Sequence, residues 1–380
     1  MLAWNGSLGV SKYEGVVSPA YCVYQFRDGV EPWFFHYLLK TAQFKDRIKA
    51  YSRGIVDSRL RLYSDDLYRL DTIVPPLDEQ QAIVKYLGHA HARINGAVAK
   101  KRRLIGLLEE QRQAIISHAV TRGLDPSAEM KDSGNQAWGI IPASWVLLPV
   151  KRLVSLVTSG SRGWAEYYSD YGPLFIQSGN LGRDMRLALA RLQRVLLPES
   201  TEGIRTRVAP DDVLVCITGA LTGNVVVVDH EWTEEAYVNQ HVALLRPLVD
   251  RIAPKFLGRA LWAEPGQVQF HGSQYGGTKQ GLGLDDVNSA VVAVPPLAEQ
   301  QAIVDYIDSK VASINRAAQR AQREIDLLTE FRVRLTSDVV TGQVDVRQVA
   351  ATLPDLTEDE LSVPDDTMVE EPGLEDEDDS

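Results

Sequence analysis

The chain has 380 residues, 44% of them hydrophobic and 24% charged, with a net charge of −11. That is the composition of a globular protein long enough for two or three domains with sizeable cores. The apolar runs are short, as at Val225 to Val228, so a membrane-crossing helix of about 20 residues is excluded. Met1 to Gly6 lacks the basic-then-apolar order of a signal peptide. Two cysteines, Cys22 and Cys216, supply neither a ligand cluster nor a disulfide framework. A cytoplasmic protein with no membrane partner is the expectation.

The charge is uneven. Thirteen acidic residues and no Lys or Arg lie between Asp355 and Ser380, which leaves 38 acidic against 40 basic residues in the rest. The body of the chain has room for local basic patches, and the composition predicts a disordered acidic tail over 348–380.

In chain order, residues 1–72 come first. Asn5-Gly6-Ser7-Leu8-Gly9-Val10 resembles Thr218-Gly219-Ala220-Leu221-Thr222-Gly223, and Pro32 to Lys49 is predicted helical, with residues 237–257 answering to part of it. This region reads as the second half of a domain whose complete form lies later in the chain. About 75 residues precede Thr218 in that later domain, against four before Asn5.

An internal repeat organises the rest of the chain. Residues 74–84 read VPPLDEQQAIV and residues 294–304 read VPPLAEQQAIV, ten of eleven identical at an offset of 220. At the same offset Ile94-Asn95 recurs as Ile314-Asn315, Leu107-Leu108 as Leu327-Leu328 and Val120-Thr121 as Val340-Thr341. Equal spacing over such a length marks two copies of one structural unit. Each copy predicts a short strand (Ile73-Val74; Val291 to Val294), a Pro-Pro stop and a long helix rich in Ala, Leu, Gln, Glu, Lys and Arg.

The helices are expected over 78–120 and 298–340, inside regions bounded at 73–121 and 293–347, each roughly 60–65 Å long at 1.5 Å per residue. Steps of three and four place Ile83, Leu87, Ile94, Leu104 and Leu108 on the apolar stripe of the first. Ile303, Ile307, Ile314, Ala317, Ala321, Leu328, Phe331 and Leu335 line the second. Such stripes need a partner in water, and the other copy is the nearest. The expected fold is α+β, with two long helices packed as an antiparallel coiled coil between related domains.

Between the helices, 122–137 reads as a Gly/Asp/Ser/Pro linker and 138–292 as a globular α+β domain. Val213 to Ile217 and Val225 to Val228 are predicted strands, and Arg183 to Leu197 is either helix or long loop.

Signatures of catalysis are missing. Gly272 to Lys279 holds the ingredients of a phosphate loop in the wrong order, since its lysine follows the hydroxyl. His89 and His91 point about 200° apart on a helix and do not converge on a metal. Asp211-Asp212 reads as a strand-entering turn more readily than as a paired-carboxylate site. No catalytic or metal-binding residue is assigned, and no cofactor is expected on this chain.

Side chains suited to duplex DNA do occur. Ser273, Gln274, Tyr275, Thr278, Lys279 and Gln280 sit in a glycine-rich stretch fit for phosphate oxygens and adenine edges. Arg183 and Arg186 begin a basic run, Arg53 and Arg59 lie at the corresponding place in the first region, and Lys12 follows the Asn-Gly turn. Two related domains on a stiff spacer suit a target with two half-sites, whose separation follows protein geometry.

The doubled VPPL-x-EQQAIV, with Gly276-Gly277-Thr278-Lys279-Gln280-Gly281-Leu282, Tyr237-Val238-Asn239-Gln240 and Ile141-Pro142-x-x-Trp145, resembles the specificity (S) subunits of type I restriction–modification systems over residues 1–347. The resemblance implies a non-catalytic subunit that reads a bipartite DNA sequence through two target-recognition domains. The helices of such a subunit act as ruler and as dock for two methyltransferase (M) subunits, and two restriction (R) subunits join complexes that cleave. S-adenosylmethionine, ATP and Mg²⁺ would belong to those partners. Arg102, Arg103, Arg112, Arg320 and Arg323 would lie on the docking faces. Against that pattern the first recognition domain is expected to be incomplete. Two other readings stay open: a coiled-coil adaptor that binds only proteins, and a stand-alone nucleic-acid enzyme.

Overall fold

A computed structural model describes residues 8–361 apart from 12, 20, 55–59, 161–162, 189–192, 197–201 and 274–280. The fold is mixed α/β and is dominated by two long helices. Four helices come first: α1 (Pro32–Leu39), α2 (Ala42–Tyr51), α3 (Ser64–Leu67) and α4 (Leu77–Arg122). The strands begin with β1 (Met130–Asp132), β2 (Ile140–Pro142), β3 (Val146–Pro149), β4 (Val154–Ser159), β5 (Tyr168–Ile176) and β6 (Gln193–Val195). After α5 (Glu202–Thr206) come β7 (Val213–Cys216), β8 (Val225–Val227), β9 (Ala236–Val238) and β10 (Val242–Pro247). Then follow α6 (Pro254–Trp262), α7 (Glu264–Ser273), α8 (Leu284–Ser289), β11 (Val291–Val294), α9 (Leu297–Val340), α10 (Arg347–Ala350) and α11 (Glu358–Leu361).

The chain divides into two compact units, residues 1–105 with 318–380 and residues 106–317, with borders inside α4 and α9. The first unit is helical among its described residues. Pro32 opens α1 at a position where its missing N–H costs nothing. Phe34, Leu38, Phe44, Ile48 and Leu62 then pack with Ile83, Val84 and Leu87 of α4 and with Val339 and Val340 of α9. Within this unit His91 Nε2 meets Thr336 Oγ1 at 2.9 Å, Arg332 Nη1 donates to Asn95 Oδ1 at 2.8 Å, and Lys101 pairs with Glu324. One index rises as the other falls, so the two helix segments run antiparallel here.

The second unit holds every strand among the described residues. A four-stranded sheet runs β4-β10-β7-β8, all antiparallel. A second sheet runs β6-β5-β9, with β5 and β9 parallel from Leu174 opposite Ala236. Strand β11 pairs β3 antiparallel, Val294 opposite Val146. Val213, Val215, Ala243 and Leu245 face a core shared with Phe256, Leu257, Phe270, Trp145, Ile303 and Ile307, and with Ile116, Ala119 and Val120 of α4.

The Pro-Pro-Leu-x-Glu-Gln motif is a helix-starting device in both copies. Gln80 donates to the Pro75 carbonyl at 2.8 Å and accepts the Glu31 N–H at 2.9 Å. Gln300 donates to the Pro295 carbonyl at 2.9 Å and accepts the Ala253 N–H at 2.7 Å. Each glutamine is buried and ties the start of a long helix to the residue just before a Pro-initiated short helix.

Several expectations need correction. Ile73-Val74 is not a strand; Ile73 is 90% exposed, whereas Val292 is fully buried in β11. A strand needs a partner to take its backbone groups. β3 supplies one in the second unit, and the first has no strand among its described residues. Leu104 is 42% exposed and Ala317 and Phe331 also face solvent, because the buried line steps through Val98, Lys101 and Ile105 in α4 and through Ala318, Ala321 and Ile325 in α9. Those three residues lie one position off a strict alternation of three and four.

Ile83, Leu87, Ile94, Ile303, Ile307 and Ile314 are buried, and Leu108, Leu328 and Leu335 partly so. The stretch 122–137 carries β1, which pairs β2. Part of 348–380 is folded, with Ala350 buried and Asp355 bonded to Lys85 at 2.8 Å. The counterpart of α1 and α2 is α6 and α7; of residues 237–257 only the last four belong to it, opening α6, and the rest hold β9 and β10.

Candidate nucleic-acid interface

Two loops of the second unit, and the described ends of a third stretch, are stitched together beside the four-stranded sheet. The first is a tight hairpin, Leu181 to Leu187, closed by a bridge between those residues and by the Gly182 N–H bonded to the Arg186 carbonyl at 2.9 Å. The second is the turn from Thr218 to Asn224 between β7 and β8, with Gly219 at φ 90° and Gly223 at φ 94°. A side chain there would be strained. The third is the glycine-rich stretch, whose residues 274–280 lie outside the described ones; its described ends are Ser273, which closes α7, and Gly281, which bridges Thr218. Asn224 Nδ2 donates to the Leu181 carbonyl at 2.8 Å, joining the first loop to the second. Gln267 Nε2 donates to the Gly223 carbonyl at 2.8 Å, joining the second to α7.

Of the DNA-contact candidates, Arg183 and Arg186 stand exposed on the first loop, and Ser273 is exposed where the third begins. Gln274, Tyr275, Thr278, Lys279 and Gln280, with Lys12 and Arg59, lie outside the described residues. Arg53 belongs to the first unit. Its backbone pairs with Arg61, and its guanidinium donates to Asp66 at 2.6 Å.

Two other basic residues near the sheet, Arg194 and Arg246, are committed to structure. Arg194 donates to the Gly172 carbonyl at 2.6 Å. Arg246 donates twice to Asp212, at 2.9 and 2.8 Å, with the Asp212 side chain 1% exposed. Burial holds that carboxyl above its ordinary value, against the pull of Arg246. Asp211 takes a left-handed φ of 66° and bonds His230 at 2.7 Å, so Asp211-Asp212 is a turn. His89 and His91 go to separate partners, the Pro354 carbonyl and Thr336.

Among the described residues no group of three or more His, Cys, Asp or Glu is placed to hold a metal, and no helix is long and apolar enough to cross a membrane. Cys22 is exposed, Cys216 is buried, and both are free thiols. Sequence reasoning placed Arg112 on an outward helix face with Arg102, Arg103, Arg320 and Arg323. Those four are not buried, but Arg112 is 4% exposed and reaches the first loop, donating to the Asp184 carbonyl at 3.3 Å. Its recurrence as Arg332 in the repeat was the signal that it belongs to the buried line.

Comparison with known proteins adds family likeness to this geometry. A solved structure from work on complex assembly and conformational transition of the type I R-M system aligns with a TM-score of 0.61 at 17% identity, covering 85% of this chain and 74% of that one. It shows a shared fold. The HsdS subunit of Thermoanaerobacter tengcongensis aligns at 19% identity with a TM-score of 0.42, covering 83% of this chain and 72% of that one. The type I restriction enzyme EcoBI specificity subunit of Escherichia coli is 26% identical over 301 residues, which are 72% of this chain and 62% of that relative's length. Residues 199–324, which include the second and third loops and more than half of α9, match the family described as type I restriction modification DNA specificity domain.

Proposed function

We propose that the chain is a DNA-binding specificity subunit of a type I restriction–modification complex, without catalytic chemistry of its own. The observation that carries this reading is the specificity-domain match over residues 199–324, which include the turn between β7 and β8 and the glycine-rich stretch. In this reading 138–292 is a complete target-recognition domain, and residues 1–72 are the second half of another. The helices α4 and α9 form an antiparallel coiled coil that spaces the two and docks methyltransferase subunits, and restriction subunits join where the complex cleaves. Arg183, Arg186, Ser273 and the glycine-rich stretch 274–280 would meet DNA from the second domain, and Lys12, Arg53 and Arg59 from the first. S-adenosylmethionine, ATP and Mg²⁺ would serve the partner subunits.

The duplicated helix start supports a bipartite target, since two copies of one unit suit two half-sites. The test is co-purification with an adenine-methyltransferase subunit, followed by mapping of protected and methylated bases on random duplexes. Sequence-selective protection is the expected result. Uniform, purely salt-sensitive binding at low ionic strength would overturn the reading.

A further inference from the structure

Arg112 and Arg332 hold the same place in the duplicated helices, 220 residues apart, and are 4% and 8% exposed. Their guanidinium groups do different work. Arg332 stays within its helix pair and donates to Asn95. The repeat supplies Arg112 with the equivalent acceptor, Asn315. Arg112 instead turns to the hairpin. One Nη donates to the Asp184 carbonyl, the other meets Glu109 on its own helix, and the guanidinium carbon lies 5.5 Å from the centre of the Trp262 ring. Its Nε is buried with no acceptor. Leaving a guanidinium donor unpaired in the interior is costly, so this placement needs a compensating role.

That role lies in the hairpin. Trp262 Nε1 donates to the Arg183 carbonyl at 3.1 Å, and Asn224 holds the Leu181 carbonyl. With Arg112 on Asp184, three carbonyls of one short loop are gripped from three separate elements. Met185 is held at φ 64°, a conformation side chains rarely adopt. Gly182 has no room for a Cβ, which would lie 2.5 Å from Asp184 Oδ1 and 2.8 Å from the Arg186 carbonyl. The clamped loop presents Arg183 and Arg186 to solvent, and neither has an ion-pair partner among the described residues. Fixed, unpaired guanidinium groups on a rigid turn suit phosphate oxygens, which accept from arginine and set the register of a protein on a duplex.

We infer that Arg112 is a positioning residue: it fixes the 181–187 hairpin so that Arg183 and Arg186 contact the phosphates of duplex DNA. The inference rests on the DNA-binding reading proposed above. Arg112 itself touches no DNA and acts through the loop.

The test uses the full-length chain and a salt titration of its affinity for a duplex. Arg183→Gln with Arg186→Gln should lower the slope of log affinity against log salt by nearly two, at about 0.9 for each phosphate no longer neutralised. Arg112→Met should lower the same slope by about one and speed amide exchange across 182–188 by about tenfold. Adding Arg112→Met to the Gln pair should weaken binding by no more than about twofold further, because residues acting through one element are not additive. Trp262→Phe keeps the ring beside Arg112 but removes the donor to Arg183, and should loosen the same amides. This milder variant keeps the test open if Arg112→Met does not fold. Arg112→Lys should restore part of the slope. An unchanged slope in both Arg112→Met and Trp262→Phe overturns the inference, as does a triple variant whose loss equals the product of the separate losses. If the unmutated chain shows no salt-dependent duplex binding, the DNA reading falls and this inference with it.

Discussion

Residues 74–84 and 294–304 share ten of eleven residues, while the three residues before each copy differ and the copies meet different surroundings. In the later copy Val292 and Val294 are buried in a strand pair with β3; in the earlier one Ile73 and Val74 are 90% and 44% exposed. From the prolines onward the copies converge. Gln80 and Gln300 make the same pair of bonds, and Glu79 and Glu299 each take a partner from elsewhere, Arg347 at 3.8 Å and Trp145 at 3.0 Å. Phe34 and Phe256, both fully buried, anchor the short helices that follow Glu31 and Ala253. The helix start is therefore set by its own residues, whereas the strand before it forms where different residues meet a partner, β3, in the second unit.

The largest expected effect tests whether the two short-helix groups are equivalent cores. Phe34→Ala and Phe256→Ala should each cost about 3–5 kcal/mol, the range for removing a large buried ring. In hydrogen exchange, Phe34→Ala should expose amides of α1, α2 and residues 318–340, and Phe256→Ala those of α6, α7 and residues 297–317. A Phe34→Ala variant with normal protection in α1 and α2 would break the equivalence.

What could be read from the sequence obeys the same division. The ends of both long helices were legible to within two residues, because Pro-Pro stops and helix-forming composition act locally. The buried line was legible at Ile83, Leu87, Ile94 and their counterparts, all of which are buried. Near the middle, Leu104 and Ile105 offer adjacent apolar residues and periodicity cannot choose between them; the partner helix chooses Ile105. The 181–187 hairpin was hidden altogether. Its shape comes from Asn224, Trp262 and Arg112, none of them near it in the chain.

A middle-sized effect sharpens the comparison at the glutamines. Gln80→Leu and Gln300→Leu each keep the volume but strand a partly buried backbone N–H and a carbonyl, a loss of up to about 1–3 kcal/mol for each unpaired group. Gln300 also donates to the Arg251 carbonyl at 3.2 Å, so Gln300→Leu should be the more damaging. Urea unfolding of the two variants measures this, and a larger loss for Gln80→Leu would show that the first helix start is the more dependent on its glutamine.

The smallest effect concerns a place where the repeat is broken by charge. Lys101 pairs with Glu324 in the first unit, while the repeat-related positions hold Ala321 and Leu104. The Lys101 ammonium, and then Arg320 at 3.2 Å, hold the Glu324 carboxyl below its ordinary value of 4.5. Because the folded value is depressed, the stabilisation is present above pH 4.5 and is lost as pH falls through the lowered value. Both side chains are about one-third exposed, so solvent and salt screen the pair and the effect on overall stability is slight. The direct measure is a carbon NMR titration of the Glu324 carboxyl. Its midpoint should lie below that of a glutamate in a peptide and should rise in Lys101→Met, where Arg320 alone remains. A midpoint unmoved by Lys101→Met would mean that the helix pair closes at this position without help from the charge.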